Sequence, residues 1–209
     1  MPNPANLEIL ELDAFFMQTG RIYQTLQHLT QSLEREGIDY AIVGGMALVL
    51  HGYTRATQDV DVLLTQEGLE RFREALVGRG FTPAFSGAKR MFKDSQTGVT
   101  VEFLVSGEFP GDGKPKAVSF PIPTAAATQI GEIQVIQLEN LVELKPASGL
   151  SGSDRLKDLA DVQELIRNLN LPQDFAQQLD PSVQQGYLQP GMGSNGPGKI
   201  KPTGSSEHT

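Results

Sequence analysis

Residues 40–64 read YAIVGGMALVLHGYTRATQDVDVLL. A short apolar run meets a double glycine, Gly44 and Gly45, and continues as an apolar helical stretch. Asp59 and Asp61 then follow, one valine apart, inside a second apolar run. Side chains of a strand alternate between faces, so Asp59 and Asp61 project to one side while Val60, Val62 and Leu64 project to the other. Two neighbouring carboxylates on a mostly buried strand are costly, because each disfavours ionisation of the other. A divalent cation between them offsets that cost. The stretch therefore reads as a site for a divalent metal ion, approached by a glycine turn.

Working outward, residues 7–36 carry a helical pattern, with Ile22, Leu26, Leu29 and Leu33 on one stripe and Gly37 as its C-cap. The first strand is expected over 38–43, a short apolar helix over 46–52 and the carboxylate-bearing strand over 58–64. Thr65 is a good N-cap for a helix over 66–79, ended by Gly80. Strand-like pieces follow at 81–85, 89–93 and 99–105, and a Gly/Pro-rich loop at 106–116. A strand pair is expected near 117–120 and 133–137. A helix over 138–145 should stop at Pro146. A second amphipathic helix covers 153–168, and Pro172 opens a third. Strands mixed with helices, without regular alternation, predict an α+β domain: a small mixed β-sheet flanked by helices, with a C-terminal helical cap. The expected organisation is a helical segment over 1–37, a core over 38–137, C-terminal helices over 138–186 and a disordered Gly/Pro/Ser-rich tail over 187–209.

Composition narrows the chemistry. The chain of 209 residues contains no cysteine, which excludes a disulfide framework, a thiolate zinc site and a cysteine nucleophile. His28, His51 and His208 show no ligand spacing, which argues against zinc. The formal charge is −8, and Lys199 and Lys201 outweigh Glu207 by one in the tail, leaving −9 on the remainder. That balance argues against a broad electrostatic grip on nucleic acid. The N-terminus lacks a basic region followed by an apolar core, and the apolar run at 41–50 is too short to span a bilayer. No membrane association and a cytoplasmic location are expected.

Glycines at a strand-to-helix turn let the backbone approach a ligand, and the helix start supplies N–H donors for phosphate. Gly44, Gly45 and the N–H of Met46 fit that role. Phosphate donors on one side and paired carboxylates on the other suit a magnesium-bound triphosphate. Glu102 lies opposite the apolar face of Val99, Val101, Phe103 and Val105. It is either an edge-strand glutamate facing water or a third metal ligand or base. Lys145 shares a helical stripe with Leu138, Leu141 and Val142, so it either snorkels outward or meets an anion such as a phosphate chain. Arg155 and Asp158 have the spacing of a surface ion pair; Asp158 and Asp161 could equally orient Lys145 or Arg155 toward the active site, or bind the nucleotide. Arg55 and Thr57 are either turn residues or phosphate contacts. His51 and Tyr53 read as helix-end packing.

These motifs together resemble the DNA polymerase β-like nucleotidyltransferase superfamily. They are R-x-T-x-D-V-D-V from Arg55 to Val62 after strand–GG–helix, then Lys145, then R-x-K-D-L-A-D-V from Arg155 to Val162. Within the superfamily the pattern is similar to the minimal-nucleotidyltransferase and AbiEii-like branch, over about residues 38–169. The resemblance implies a nucleotidyltransferase-like fold and transfer of a nucleoside monophosphate from an NTP to a hydroxyl acceptor, with release of pyrophosphate. The acceptor would be a protein, a tRNA or a small molecule, and a toxin–antitoxin role is implied for members of the branch. By position, Asp59, Asp61 and Glu102 would hold magnesium, Gly44 and Gly45 would cradle the triphosphate, and Lys145 and Asp158 would match downstream catalytic or nucleotide-contacting positions. The alternative is a catalytically inactive nucleotide-binding or protein-partner module on the same fold.

Overall fold

The structure is a computed structural model that describes residues 20–53, 56–111, 113–115, 117–149, 165–169, 171–181 and 184. Arg55, Arg155, Asp158, most of the helix expected over 153–168, and the tail from 187 lie outside the described residues.

Seven strands form one mixed sheet in the order β3-β4-β5-β2-β1-β7-β6. They are β1 (Ala41–Val43), β2 (Asp59–Leu64), β3 (Phe81–Pro83), β4 (Met91–Asp94), β5 (Thr100–Val105), β6 (Ala127–Ile130) and β7 (Ile133–Ile136). β2 pairs with β5, and β1 with β7, in parallel; the other neighbours are antiparallel.

Two helices cover one face, α1 (Arg21–Arg35) and α3 (Gln66–Leu76). The stripe Ile22, Leu26, Leu29 and Leu33 of α1 packs with Leu69, Phe72 and Leu76 of α3 onto Val60, Val62, Leu64, Val101, Phe103 and Val105. Phe72 sits at the centre, its ring 4.4 Å from Phe103 and 5.2 Å from Phe92. Thr65 caps α3 by accepting the Gly68 N–H at 3.0 Å, as its sequence position predicts. α2 (Gly44–Leu50) contributes to both faces, with Met46 and Val49 in the first core, while the opposite face is covered by α5 (Leu138–Gly149). There Ala47, Leu48, Leu141, Val142 and Leu144 join Ala41, Val43, Leu63 and Val135 in a second apolar cluster. Alternation along β2 thus puts its valines into the first core and both aspartates on the second face.

Three local expectations are corrected. Residues 117–120 are not a strand: β7 pairs instead with β6, across a two-residue turn in which Gly131 takes φ +62°. Phe120 instead exchanges backbone hydrogen bonds with Gly107 and Glu108. Pro146 does not stop α5, which runs on to Gly149. A proline costs one hydrogen bond here, while burial of Leu141, Val142 and Leu144 holds the helix on the sheet. Pro172 opens a short 3₁₀ helix (Gln173–Gln178), in place of a third α-helix. A four-residue helix, α4 (Pro123–Ala126), precedes β6.

Candidate active site

The site lies where the C-terminal end of β1 meets the start of β2. Because the two strands are antiparallel, Val43 pairs with Asp61 and the glycine turn after Val43 falls beside the carboxylates. Parallel register with β5 sets Asp61 against Glu102, and Asp59 against Thr100. Side chains of directly paired residues share a face, so Asp59, Asp61 and Glu102 stand together. All three are partly buried.

Each glycine of the turn answers to a different neighbour. Gly44 has φ +62°, and a Cβ there would lie 1.9 Å from Asp61 Oδ2. Both the left-handed backbone and the missing Cβ are therefore required. Gly45 has no such backbone demand, but a Cβ would sit 3.0 Å from Thr57 Oγ1. The Gly45 N–H donates to the Asp61 carboxylate. The turn thus aims one backbone donor at an acid of the pair, a contact that strand–GG–helix alone could not reveal.

Electrostatics reflect this crowding. Asp61 is pushed up to about 7, first by burial, then by Asp59 and Glu102; Lys145 and the Gly45 N–H pull it back. Glu102 is also raised, by burial and then by Asp59. Lys145, on α5, is partly buried and acts on Asp61 from across the second face. The positive charge of the stripe's lysine thus lies close enough to Asp61 to favour its ionised form. Thr57 Oγ1 donates toward the Asp59 carbonyl at 3.2 Å and its carboxylate Oδ1 at 3.3 Å. Met46 is buried in the first core, leaving only its backbone to face a ligand. His51 Nε2 donates to the Ile136 carbonyl at 2.8 Å, tying the end of α2 to β7.

The structure thus gathers Gly44, Gly45, Thr57, Asp59, Asp61, Glu102 and Lys145. The donor set is all oxygen and bears several negative charges in a partly desolvated place, which fits a hard divalent cation. Among the described residues, no group of three or more His, Asp or Glu side chains is gathered tightly enough to hold an ion alone.

A family model described as aminoglycoside-2''-adenylyltransferase matches residues 25–121, slightly under half of the chain. The match supports a nucleotidyltransferase, with its acceptor unspecified. It spans the glycine turn, Thr57 and all three carboxylates, and stops short of Lys145. No curated protein matches the chain. Solved structures similar to it include a Thermotoga maritima protein proposed to be a nucleotidyltransferase, at 16% identity and TM-score 0.44, covering 81% of this chain and 96% of that one. Another is an antigenic nucleotidyltransferase-like protein from Paracoccidioides brasiliensis, at 18% identity and TM-score 0.47, covering 78% and 87%. A third is ANT(2'')-Ia in complex with adenylyl-2''-tobramycin, at 12% identity and TM-score 0.48, covering 69% and 88%. Among the described residues, no helix is long and apolar enough to cross a membrane.

Proposed function

We propose that the chain transfers a nucleoside monophosphate from an NTP to a hydroxyl acceptor and releases pyrophosphate, with Mg²⁺ or Mn²⁺ as cofactor. The observation that carries this reading is the convergence of Asp59, Asp61 and Glu102 on one sheet face, beside a glycine turn that leaves no room for a side chain. Asp59 and Asp61 would hold the cation, with Glu102 as a further ligand or as the base for the acceptor hydroxyl. The bound ion would supply charge neutralisation at the transferring phosphoryl group. Oxygens of the nucleotide and water would complete its shell, as is usual for magnesium.

The remaining work falls to the protein. Gly44 and Gly45 would bring the backbone of the turn beside the triphosphate, with the space of their missing side chains taken by Asp61 and Thr57. Lys145 brings the positive charge that steadies the leaving phosphates. Glu102, with its affinity for protons raised by burial, is suited to accept one from a hydroxyl at neutral pH. The turn follows β1 on one side of the aspartates and Glu102 lies on β5 on the other, an arrangement that would order donor and acceptor across the sheet.

The matching family's description makes ATP and an aminoglycoside hydroxyl the first donor and acceptor to test; protein and tRNA hydroxyls come next. The AbiEii-like branch, and with it a toxin–antitoxin role, is proposed from the R-x-T-x-D-V-D-V motif together with Lys145 and the downstream R-x-K-D-L-A-D-V motif. Incubation with each NTP, divalent metal and an acceptor panel should give pyrophosphate release that Asp59→Asn and Asp61→Asn each abolish while the fold is kept. Binding of NTP without pyrophosphate release across the panel would instead favour the inactive-module alternative.

A further inference from the structure

We propose that Thr57 is a positioning residue: its hydroxyl orients the Asp59 carboxylate for the cation while its own side chain packs against the glycine turn, and it is not itself a phosphate contact. The inference rests on the metal-dependent reading of the site given above.

Asp59 opens β2, so no preceding residue of the strand holds it in place. Its orientation has to come from elsewhere. Thr57 supplies it from two residues upstream, with Oγ1 within donating reach of both the main-chain carbonyl, at 3.2 Å, and the carboxylate Oδ1, at 3.3 Å. A hydroxyl has one proton to give, and here both acceptors belong to the same residue. That proton is directed at Asp59, away from any phosphate. The same oxygen stands 3.0 Å from the place where a Cβ on residue 45 would be, and the Thr57 Cβ stands 3.4 Å from it. The absence of a side chain at Gly45 therefore makes room for Thr57, as the absence at Gly44 makes room for Asp61. Each glycine of the pair accommodates one arm of the carboxylate apparatus.

Carboxylates that ligate metals are held by hydrogen bonds from an outer layer, and loss of such a partner costs about 10–100-fold in metal affinity or activity. Thr57→Val keeps the shape and removes the donor, whereas Thr57→Ser keeps the donor. The test is Mn²⁺ binding by electron paramagnetic resonance, with the α,β-methylene analogue of ATP present and with thermal melts to confirm folding. Thr57→Val should weaken Mn²⁺ binding by about 10–100-fold, and Thr57→Ser should bind within a fewfold of the unaltered chain. Gly45→Ala should weaken Mn²⁺ binding alone but add nothing in a Thr57→Ala background, since it acts by displacing Thr57. Unchanged Mn²⁺ affinity in Thr57→Val, a defect equally present in Thr57→Ser, or additive effects of Gly45→Ala and Thr57→Ala would each overturn the assignment. If the unaltered chain binds no Mn²⁺ with the α,β-methylene analogue of ATP, GTP, CTP or UTP, the metal-dependent reading fails, and this inference with it. Metal binding that Asp59→Asn abolishes but Thr57→Val leaves intact would defeat this inference alone.

Discussion

Asp61→Asn should make the metal-free protein more stable at alkaline pH, although it removes a residue placed at the centre of the site. In the folded chain the Asp61 carboxyl titrates at about 7, against an ordinary value of 3.8, because burial, Asp59 and Glu102 all oppose its charge. A folded value above the unfolded one means that the native state holds the extra proton between those pH values. The stability linked to this group is complete below about pH 4 and is lost as pH rises through 7. Between pH 5 and pH 8 that loss would reach about 3 kcal/mol if the shift counted in full. Asp61 is only partly buried, so solvent screening reduces it to about 1 kcal/mol, or roughly 2–4 °C in Tm for a chain of this size. Asparagine cannot ionise, and its carbonyl oxygen can still accept the Gly45 N–H. Melting in EDTA from pH 5 to pH 8 should therefore show the unaltered chain losing a few degrees that Asp61→Asn keeps. Parallel melting curves for the two proteins across that range, or a variant less stable at pH 8, would show that Asp61 carries no such proton linkage.

Gly44→Ala should be among the most damaging small substitutions in the chain. It combines a left-handed backbone, worth about 1–3 kcal/mol of strain, with a methyl group driven onto Asp61 Oδ2, so both Tm and pyrophosphate release should fall. Lys145→Met removes the cation that favours ionised Asp61; the midpoint of the pH–activity profile should move upward and KM for the NTP should rise, as steady-state kinetics from pH 6 to 9 would show.

Much of the site was legible because its logic is local. Alternation along Asp59–Leu64 already separates the two acids from the valines, and the structure buries the valines completely. The stripe Leu138, Leu141, Val142 and Lys145 likewise predicts a lysine turned toward the body, and α5 delivers it to Asp61. What could not be read is the register. Nothing in Val99–Val105 says that Glu102 pairs with Asp61, because a parallel pairing is fixed by the whole sheet and not by either strand. The glycines were legible as space, but not as space for Asp61 and Thr57, since those contacts cross the strand-to-helix turn. The β6–β7 hairpin did leave a signal: Gly131 and Glu132 alone separate two β-prone runs, a two-residue turn with glycine at positive φ. The polar residues Thr128 and Gln129 obscured it, as expected for an edge strand. Pro146 misled because a propensity rule was set against a buried helix face, and packing prevailed.

Asp59 and Asp61 are proposed to share a divalent cation opposite the glycine turn. Crystals grown with Mn²⁺ and α,β-methylene ATP test it most directly, through anomalous scattering at the manganese edge. The expected result is an anomalous peak bonded to both carboxylates, with the triphosphate lying over Gly44 and Gly45. A peak elsewhere, or a triphosphate seated away from the glycine turn with the two acids pointing apart, would contradict it.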